Sequence, residues 1–584
     1  MAGGRDISVP RLARRAGRGR LYSRTRTEHR LKQVSLTVTK RLKGRSAMRA
    51  PLKIAFIAVA TVALQGQASP PARADMDGLF ARWATATSPG CAVGVEGRDG
   101  VTFKAYGMAD LEHGIANTPE TVFEAGSVSK QFTAAGILLL AQEGRLKLDD
   151  DIRKYLPELP DYGKTITIDH LLTHTSGLRD WGVLSEIQGW PRTDRAMTQP
   201  DVLDLVARQR ELNYTPGAEY SYTNSGYNLL AIIIARVSGK SFGAFSNERI
   251  FAPLGMASTA WRDDFRRIVK GRAIAYGKAP GGYEQVMPFE DAVGNGGLLT
   301  TVGDLLTWNR ALSSRKLGEF VATEFERRGV LNDGRRIRYA RGLRIEDKRG
   351  AEVSHAGATG AYRAWLARFT DARLSIALLC NAGDVGPSGA DLGYRLADQI
   401  LPKAPPEKVG PALRDAAAYQ GMFVSERSGR PLILVAEGGA LQTDAGTKLA
   451  PVAGGRLRMG ADLVAFQGKD VLRIEDTDGN VSDFRRTAPV SAVGDAQPYL
   501  GRYVSDELSA TYFVEAKDGG IVLRLDRRPE WIFPLQPSYR DAFLFGRGGA
   551  GMVRFERDGQ GRASAIRIGL TNRVRGVRFV RADP

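Results

Sequence analysis

The sequence predicts an α+β fold, in which a central antiparallel sheet covered by helices is followed by two small all-β domains. Three observations carry this. Short apolar strands stand at both ends of the region 75–402, with apolar helices between them. The segment Pro402 to Pro411, PKAPPEKVGP, is Pro-rich and reads as a linker. Beyond it helical periodicity gives way to short alternating runs and Gly-rich turns, as in sandwiches or barrels.

The chain has 584 residues, which calls for two or three domains. Its net charge of +19 suggests a nucleic-acid or membrane partner until the charge is located. Residues 1–74 hold 17 Lys or Arg against 2 acidic residues, a net +15, so only +4 remains for the rest. Two segments make up that leader. From Met48, a start with Arg49 and Lys53, an apolar run Ile54 to Leu64 and the small-residue site Ala72-Arg73-Ala74 have the layout of a secretory signal peptide, 48–74. The apolar run is too short for a stable membrane anchor. Residues 1–47 read as a non-native N-terminal extension upstream of a true start at Met48; a basic nucleic-acid arm is the competing reading and sits badly with export. The expected location is therefore periplasmic or secreted, with no nucleic-acid partner.

Within 75–402, Cys91 to Gly97 and Val101 to Gly107 flank the turn Arg98-Asp99-Gly100 as a hairpin. Lys130 to Glu143 reads as an apolar helix closed by Gly144, and Asn228 to Val237 as another closed by Ser238-Gly239. Tyr362 to Phe369 and Leu374 to Cys380 read as consecutive strands. The linker is placed at 403–411 and the β-domains at 412–488 and 494–584. A weak repeat links them: Tyr419 to Ser425, YQGMFVS, echoes Tyr499 to Ser505, YLGRYVS. Two cysteines, Cys91 and Cys380, exclude a disulfide framework or a Cys-rich zinc module.

Three short motifs carry candidate chemistry. Ser127 and Lys130 are three apart at a helix start and so share a face. The serine needs a base, and Lys130 qualifies if burial lowers its pKa. Tyr222 and Asn224 are two apart in a loop read as extended, so both project to one side; a phenol there can serve as base and acid, and Asn224 can bond a substrate carbonyl and Lys130. His355, Gly357 and Ala358 lead into the strand at 362. Gly357 permits close backbone approach, the amide of Ala358 can join that of Ser127 as an oxyanion hole, and His355 can hold the tyrosine or bind a substrate carboxylate. A histidine in that role would give an acid limb near ~6.5. Taken singly, each motif also fits a structural part: a helix cap, a capping loop, a core histidine. His170 and His174, four apart, lack the glutamate of a metalloprotease motif, and no metal or other cofactor is expected.

The order S-x-x-K, Y-x-N, H-x-G resembles the serine beta-lactamase-like peptidase and esterase family, which includes class C beta-lactamases, D-Ala-D-Ala carboxypeptidases and D-aminopeptidases. Flanking stretches agree: Lys130-Gln131-Phe132-Thr133, Gly144 to Asp150, His170 to Gly177, and Gly296-Gly297-Leu298. The resemblance covers 75–402 and implies a beta-lactamase/transpeptidase-like catalytic domain, with two C-terminal barrels as in D-aminopeptidases. It also implies that Ser127, Lys130 and Tyr222 are catalytic, and that Asn224, His355, Gly357 and Ala358 bind substrate. It further implies that the strands opening at Cys91 and ending at Cys380 lie side by side, so that the cysteines are neighbours and a bridge is geometrically open, with two separate buried thiols as the alternative. His355 stands where penicillin-binding relatives usually carry Lys of K-T-G, which speaks against efficient beta-lactam hydrolysis.

The expected function is an exported serine hydrolase that acts through an acyl-enzyme on a short peptide or amide, as a D-aminopeptidase or D-Ala-D-Ala carboxypeptidase-like peptidase. Its partner is a small or short-peptide substrate, with cell-wall material as one source; a homo-oligomer stays open. The alternatives are a small-ester esterase or weak beta-lactamase, a non-turnover penicillin-binding sensor, and a vestigial fold whose β-domains bind cell wall. The intact trio argues against the last.

Overall fold

The computed structural model describes residues 75–582, except 193, 348 and 403–406. The leader and residues 403–406 of the linker lie outside these residues.

The first sheet is built from both ends of the catalytic region. Strands β1 (Cys91–Gly97) and β2 (Gly100–Tyr106) form the early hairpin. Strands β3 (Arg344–Glu346), β4 (Glu352–Thr359), β5 (Tyr362–Phe369) and β6 (Leu374–Cys380) come from the other end. The order is β3-β4-β5-β6-β1-β2, antiparallel throughout. Successive residues of a strand face opposite sides, and both sides are covered here. Ala364 and Leu366 of β5 belong to one core cluster, Trp365 and Ala367 to the other. This two-sided burial is why β5 and β6 read as near-continuous apolar runs rather than alternating ones.

Five helices matter for the site: α1 (Ser129–Gln142), α2 (Trp181–Ile187), α3 (Asn224–Ser238), α4 (Val302–Ser313) and α5 (Ala390–Ile400). Helix α4 packs into one core cluster and α5 into the other, on opposite faces of the sheet. Helix α1 is buried continuously from Ser129 to Leu140, which explains a sequence apolar all round rather than on one stripe. Gly144 follows it with φ 69°, a conformation that favours glycine. Helix α3 begins at Asn224, four residues before the expected start, so Asn224 is the first helical residue rather than part of an extended loop. Polar residues in this first turn mask its apolar periodicity: Asn224 reaches Lys130, while Ser225 and Asn228 bond the segment around Trp181.

Two further sheets follow, each nearly closed. In the first, eight strands lie between Gly421 and Arg486, and the edge strands Ala440–Thr443 and Leu449–Val452 meet through a Gln442–Lys448 bridge. In the second, nine strands lie between Gly501 and Arg581, and its edge strands Arg528–Pro534 and Gln536–Tyr539 adjoin in sequence. The echoed segments become the first strands of these sheets, Gly421–Ser425 and Gly501–Ser505, each paired with the last strand of its own sheet. Near closure removes the exposed edges that would otherwise invite pairing with other chains.

The terminal barrel shares the main core cluster with the helical region, through Tyr512, Leu525 and Phe579 among others. Arg179, 2% exposed, donates to Glu507 at 2.8 Å and to the carbonyl of Gly576 at 3.0 Å. A buried guanidinium is tolerated only with such partners. Among the described residues no single helix is long and apolar enough to cross a membrane.

Cys91 and Cys380 are directly opposed in the β1–β6 pair and joined by a disulfide, Cα to Cα 4.0 Å. The bridge closes a loop of 289 residues onto one sheet position. Replacing both cysteines by serine is expected to cost about 2–5 kcal/mol of stability. The midpoint of denaturant unfolding measures this, and the reduced wild type should fall with the variant. Identical midpoints for oxidised and reduced protein would show that the bridge contributes nothing.

Candidate active site

The site forms where the start of α1 meets β4. Ser127 lies in a tight turn, Gly126–Val128, that runs directly into α1. Two glycines let this turn touch the strand. Gly126 has φ 52°, and a Cβ there would lie 2.6 Å from the amide nitrogen of Ala358. A Cβ on Gly357 would lie 2.1 Å from the carbonyl oxygen of Ala125 and 3.1 Å from the amide nitrogen of Ser127. Gly357 thus serves contact between two stretches of backbone as well as lining the cleft. The same contact brings the amides of Ser127 and Ala358 together, the arrangement an oxyanion hole requires. Behind the turn, Glu124 is buried against Arg262, whose Nε donates at 2.7 Å, and this pair anchors the approach to Ser127.

Lys130 is fully buried and lies one helical turn after Ser127. Its Nζ is 3.2 Å from Ser127 Oγ, 3.0 Å from Asn224 Oδ1 and 2.7 Å from the carbonyl oxygen of Asn295. It also lies 4.7 Å from the ring centre of Tyr222 and 5.5 Å from that of Tyr227. Burial pushes its pKa well below the usual lysine range; the charges of Arg573 and Arg192 lower it further, and Asp180 opposes them. Tyr222 moves the other way, up to about 12, chiefly through burial, with a hydrogen bond to Ser127 and the charge of Arg573 acting against the rise. At neutral pH the phenol therefore keeps its proton.

His355 is placed on β4 within the same cleft but does not hold Tyr222. Its Nδ1 lies 2.6 Å from the carbonyl of Ala356 and its Nε2 2.9 Å from the hydroxyl of Tyr339. A carbonyl only accepts, so Nδ1 carries the hydrogen and Nε2 accepts from Tyr339. Burial first, then the charge of Lys130, lowers its pKa to about 3. This environment works against the acid limb near ~6.5 expected of this histidine, because it favours the neutral imidazole through the neutral range.

His170 and His174 make no metal pair. His170 Nδ1 accepts from the backbone of Thr167 in a helix-capping box. His174 is buried among Tyr222, Tyr339, Tyr227 and Tyr220, with ring centres 4.3, 4.6, 5.1 and 5.9 Å away. Its Nδ1 accepts from the amide of Thr223 at 3.3 Å, which fixes the segment carrying Tyr222 and Asn224.

Both C-terminal barrels reach this segment. Asn480 of the middle barrel accepts from the amide of Tyr220 at 2.9 Å and donates to its carbonyl at 3.1 Å. The turn 571–573 of the terminal barrel places the guanidinium of Arg573 5.0 Å over the Tyr222 ring. The resulting cleft of about 340 Å³ is lined by Ser127, Tyr222, Asn224, His355, Gly357 and Ala358, with Asn295, Tyr339 and Arg573. All the residues singled out from sequence come together, Lys130 beneath the cleft floor. Sequence reasoning missed Asn295, Tyr339 and Arg573, and gave His174 no part in the site. Asn295 acts through its backbone carbonyl, which no residue type announces; it does directly precede Gly296-Gly297. Tyr339 and Arg573 lie far along the chain in unremarkable contexts.

The beta-lactamase family model matches residues 78–400, more than half of the chain. The chain belongs to the beta-lactamase family of serine hydrolases. Penicillin-binding protein 4* of Bacillus subtilis is 32% identical over 311 residues, covering 50% of this chain and 68% of that protein. A D-aminopeptidase of Brucella canis is 27% identical over 516 residues, covering 84% of this chain and 96% of the relative. A D-amino acid amidase from Ochrobactrum anthropi SV3, solved with L-phenylalanine amide, superposes with TM-score 0.47 at 23% identity over 53% of this chain and 93% of its own.

The depressed pKa of His355 makes a prediction with a definite sign. Below pH 6.5 an unfolded histidine takes up a proton that the folded one refuses down to about 3. Stability should therefore fall with falling pH across that window, by roughly 1.4 kcal/mol per unit from this group, about 2 kcal/mol by pH 5. His355→Asn should flatten that slope in urea titrations between pH 7 and 5. An unchanged slope would place the proton uptake elsewhere.

Proposed function

We propose that the protein is an exported acyl-transfer hydrolase that cleaves a short peptide or amide, with Ser127 as nucleophile, Lys130 as its base and Tyr222 as the proton donor to the leaving group. The single observation that carries this is the coordination of Lys130. A neutral amine has two N–H bonds and one lone pair. The oxygens of Asn224 and Asn295 accept but cannot donate, so they take both N–H bonds and leave the lone pair for the Ser127 hydroxyl. Burial keeps a share of the amine neutral, as a base requires. Ser127 Oγ then bonds to the substrate carbonyl carbon as its proton passes to Lys130. The amides of Ser127 and Ala358 receive the negative oxygen. Collapse breaks the bond to the leaving group, which takes a proton from Tyr222, and Lys130 returns one to the phenol. Water attacks the acyl-enzyme by the same relay and frees the acid.

The raised pKa of Tyr222 supports this division, since a phenol near 12 still carries at neutral pH the proton that a departing amine needs. The D-aminopeptidase relatives support a peptide or amide as substrate. The Cys91–Cys380 bridge supports an oxidising, exported setting, in keeping with the signal-like segment at 48–74.

Purified protein incubated with D-aminoacyl amides, D-Ala-D-Ala peptides, short esters and a chromogenic cephalosporin tests the reading. An amide or peptide should turn over, with a transient adduct on Ser127 by mass spectrometry. Ser127→Ala should abolish labelling by a serine-reactive phosphonate and lower kcat by at least about 10³-fold. Labelling that survives the mutation would mean another nucleophile; an adduct that never clears would mean a sensor.

In this scheme activity falls on the acid side as Lys130 becomes protonated. The limb should survive His355→Asn, because His355 stays neutral until about pH 3. A limb that vanishes with His355 would return the titration to the histidine, as would be read from kcat/KM between pH 5 and 9.

A further inference from the structure

The cleft above Ser127 is electrostatically one-sided. Arg192, Arg344 and Arg573 line it, and among the described lining residues there is no Asp or Glu. Two of these cations are answered from behind. Arg192 pairs with Glu290. Arg344 pairs with Asp478 and, at 3.1 Å, with Glu346. Arg573 differs. Its partly buried guanidinium covers the Tyr222 ring, and among the described residues no hydrogen bond or ion pair engages it.

The backbone that carries this side chain is nonetheless fixed. The carbonyl of Arg573 accepts from the amide of Asp180 at 3.3 Å and from Asn213 Nδ2 at 2.8 Å, and the amide of Arg575 donates to Asn213 Oδ1 at 3.1 Å. These bonds tie the turn to the segments that flank the site, so the terminal barrel delivers one cation to a defined place. A guanidinium drawn from water without an anionic partner is costly, and its planar fork matches a carboxylate.

We infer that Arg573 is the specificity residue of this hydrolase and binds a carboxylate on the leaving-group side of the substrate. The inference rests on the acyl-transfer reading. There Tyr222 protonates the departing amine, and Arg573 covers that same ring, so the bound carboxylate sits beside the bond that breaks. The preferred substrate is a short peptide ending in a free carboxylate. A free ammonium near the reacting carbonyl finds no carboxylate in the cleft and meets the field of Arg573. The adjoining chamber of about 480 Å³, which shares Tyr222 and Arg573, does hold Asp462, Asp476 and Asp478. Asp476 is taken by Asn480 and Asp478 by Arg344. Arg573 lines both spaces, as do Tyr220 and Tyr222.

The test compares matched substrates on the full chain: N-acetyl-D-Ala-D-Ala against its C-terminal amide, and D-alanine p-nitroanilide against its N-acetyl form. Wild type should prefer the free acid over the amide by about tenfold to a hundredfold in kcat/KM. Arg573→Gln should bring that ratio near one, Arg573→Lys should keep part of it, and Arg573→Asp should reverse it and favour the free amine. Protection of Ser127 from phosphonate labelling by each compound gives the same comparison where turnover is slow. Equal use of acid and amide by wild type, or a ratio unchanged in Arg573→Gln with labelling intact, would overturn the inference. Absence of phosphonate labelling in wild type would instead overturn the acyl-transfer reading, and this inference with it.

Discussion

The desolvation of one lysine organises this molecule. Lys130 is fully buried, and a buried ammonium group is tolerated only when surrounding oxygens replace its water. Those oxygens come from three separate parts of the chain: the turn before α1, the first residue of α3, and the carbonyl of Asn295. Each must be held to within a hydrogen bond, so the packing of α1 against its neighbours is at once a stability requirement and a catalytic one. The same burial that threatens stability lowers the lysine pKa and makes the amine usable.

The second constraint is the segment from Glu219 to Asn224, which passes between all three lobes. Asn480 holds the backbone of Tyr220 at both its polar groups. Arg427 and Arg575, one from each barrel, pair with Glu219. His174 receives the amide of Thr223, and Asp180 that of Asn224 at 2.7 Å. A segment held from four directions thus positions Tyr222 just ahead of α3. The barrels are therefore part of the site's framework, and the terminal one also contributes a side chain to the cleft.

The histidine on β4 shows how environment decides the meaning of a residue. In water an imidazole titrates near neutrality; here burial and the nearby lysine hold it neutral, and its two nitrogens are committed to Ala356 and Tyr339. It shapes the wall beside Gly357 and Ala358, and its charge does not enter the neutral range.

The sequence alone determined what is local or periodic. Strands β5 and β6, helix α1 and its glycine stop, and the early hairpin are written in residue type and spacing. The co-location of Ser127 and Lys130 follows from one turn of helix, and the motif order made the family legible. What needed the tertiary structure was every property that depends on residues distant in sequence. The start of α3 at Asn224 was hidden because the polar residues of its first turn are buried on partners distant in sequence, Lys130 for Asn224 and the segment around Trp181 for Ser225 and Asn228. The acceptance of Lys130 by a backbone carbonyl leaves no trace in residue identity. The partner of His355, the bracing of Tyr220 by Asn480 and the arrival of Arg573 over Tyr222 join positions 16, 260 and 351 residues apart. The charge of the cleft was likewise invisible in composition: Glu290 and Asp478 meet Arg192 and Arg344 only in the folded chain, and among the described residues no hydrogen bond or ion pair engages the side chain of Arg573.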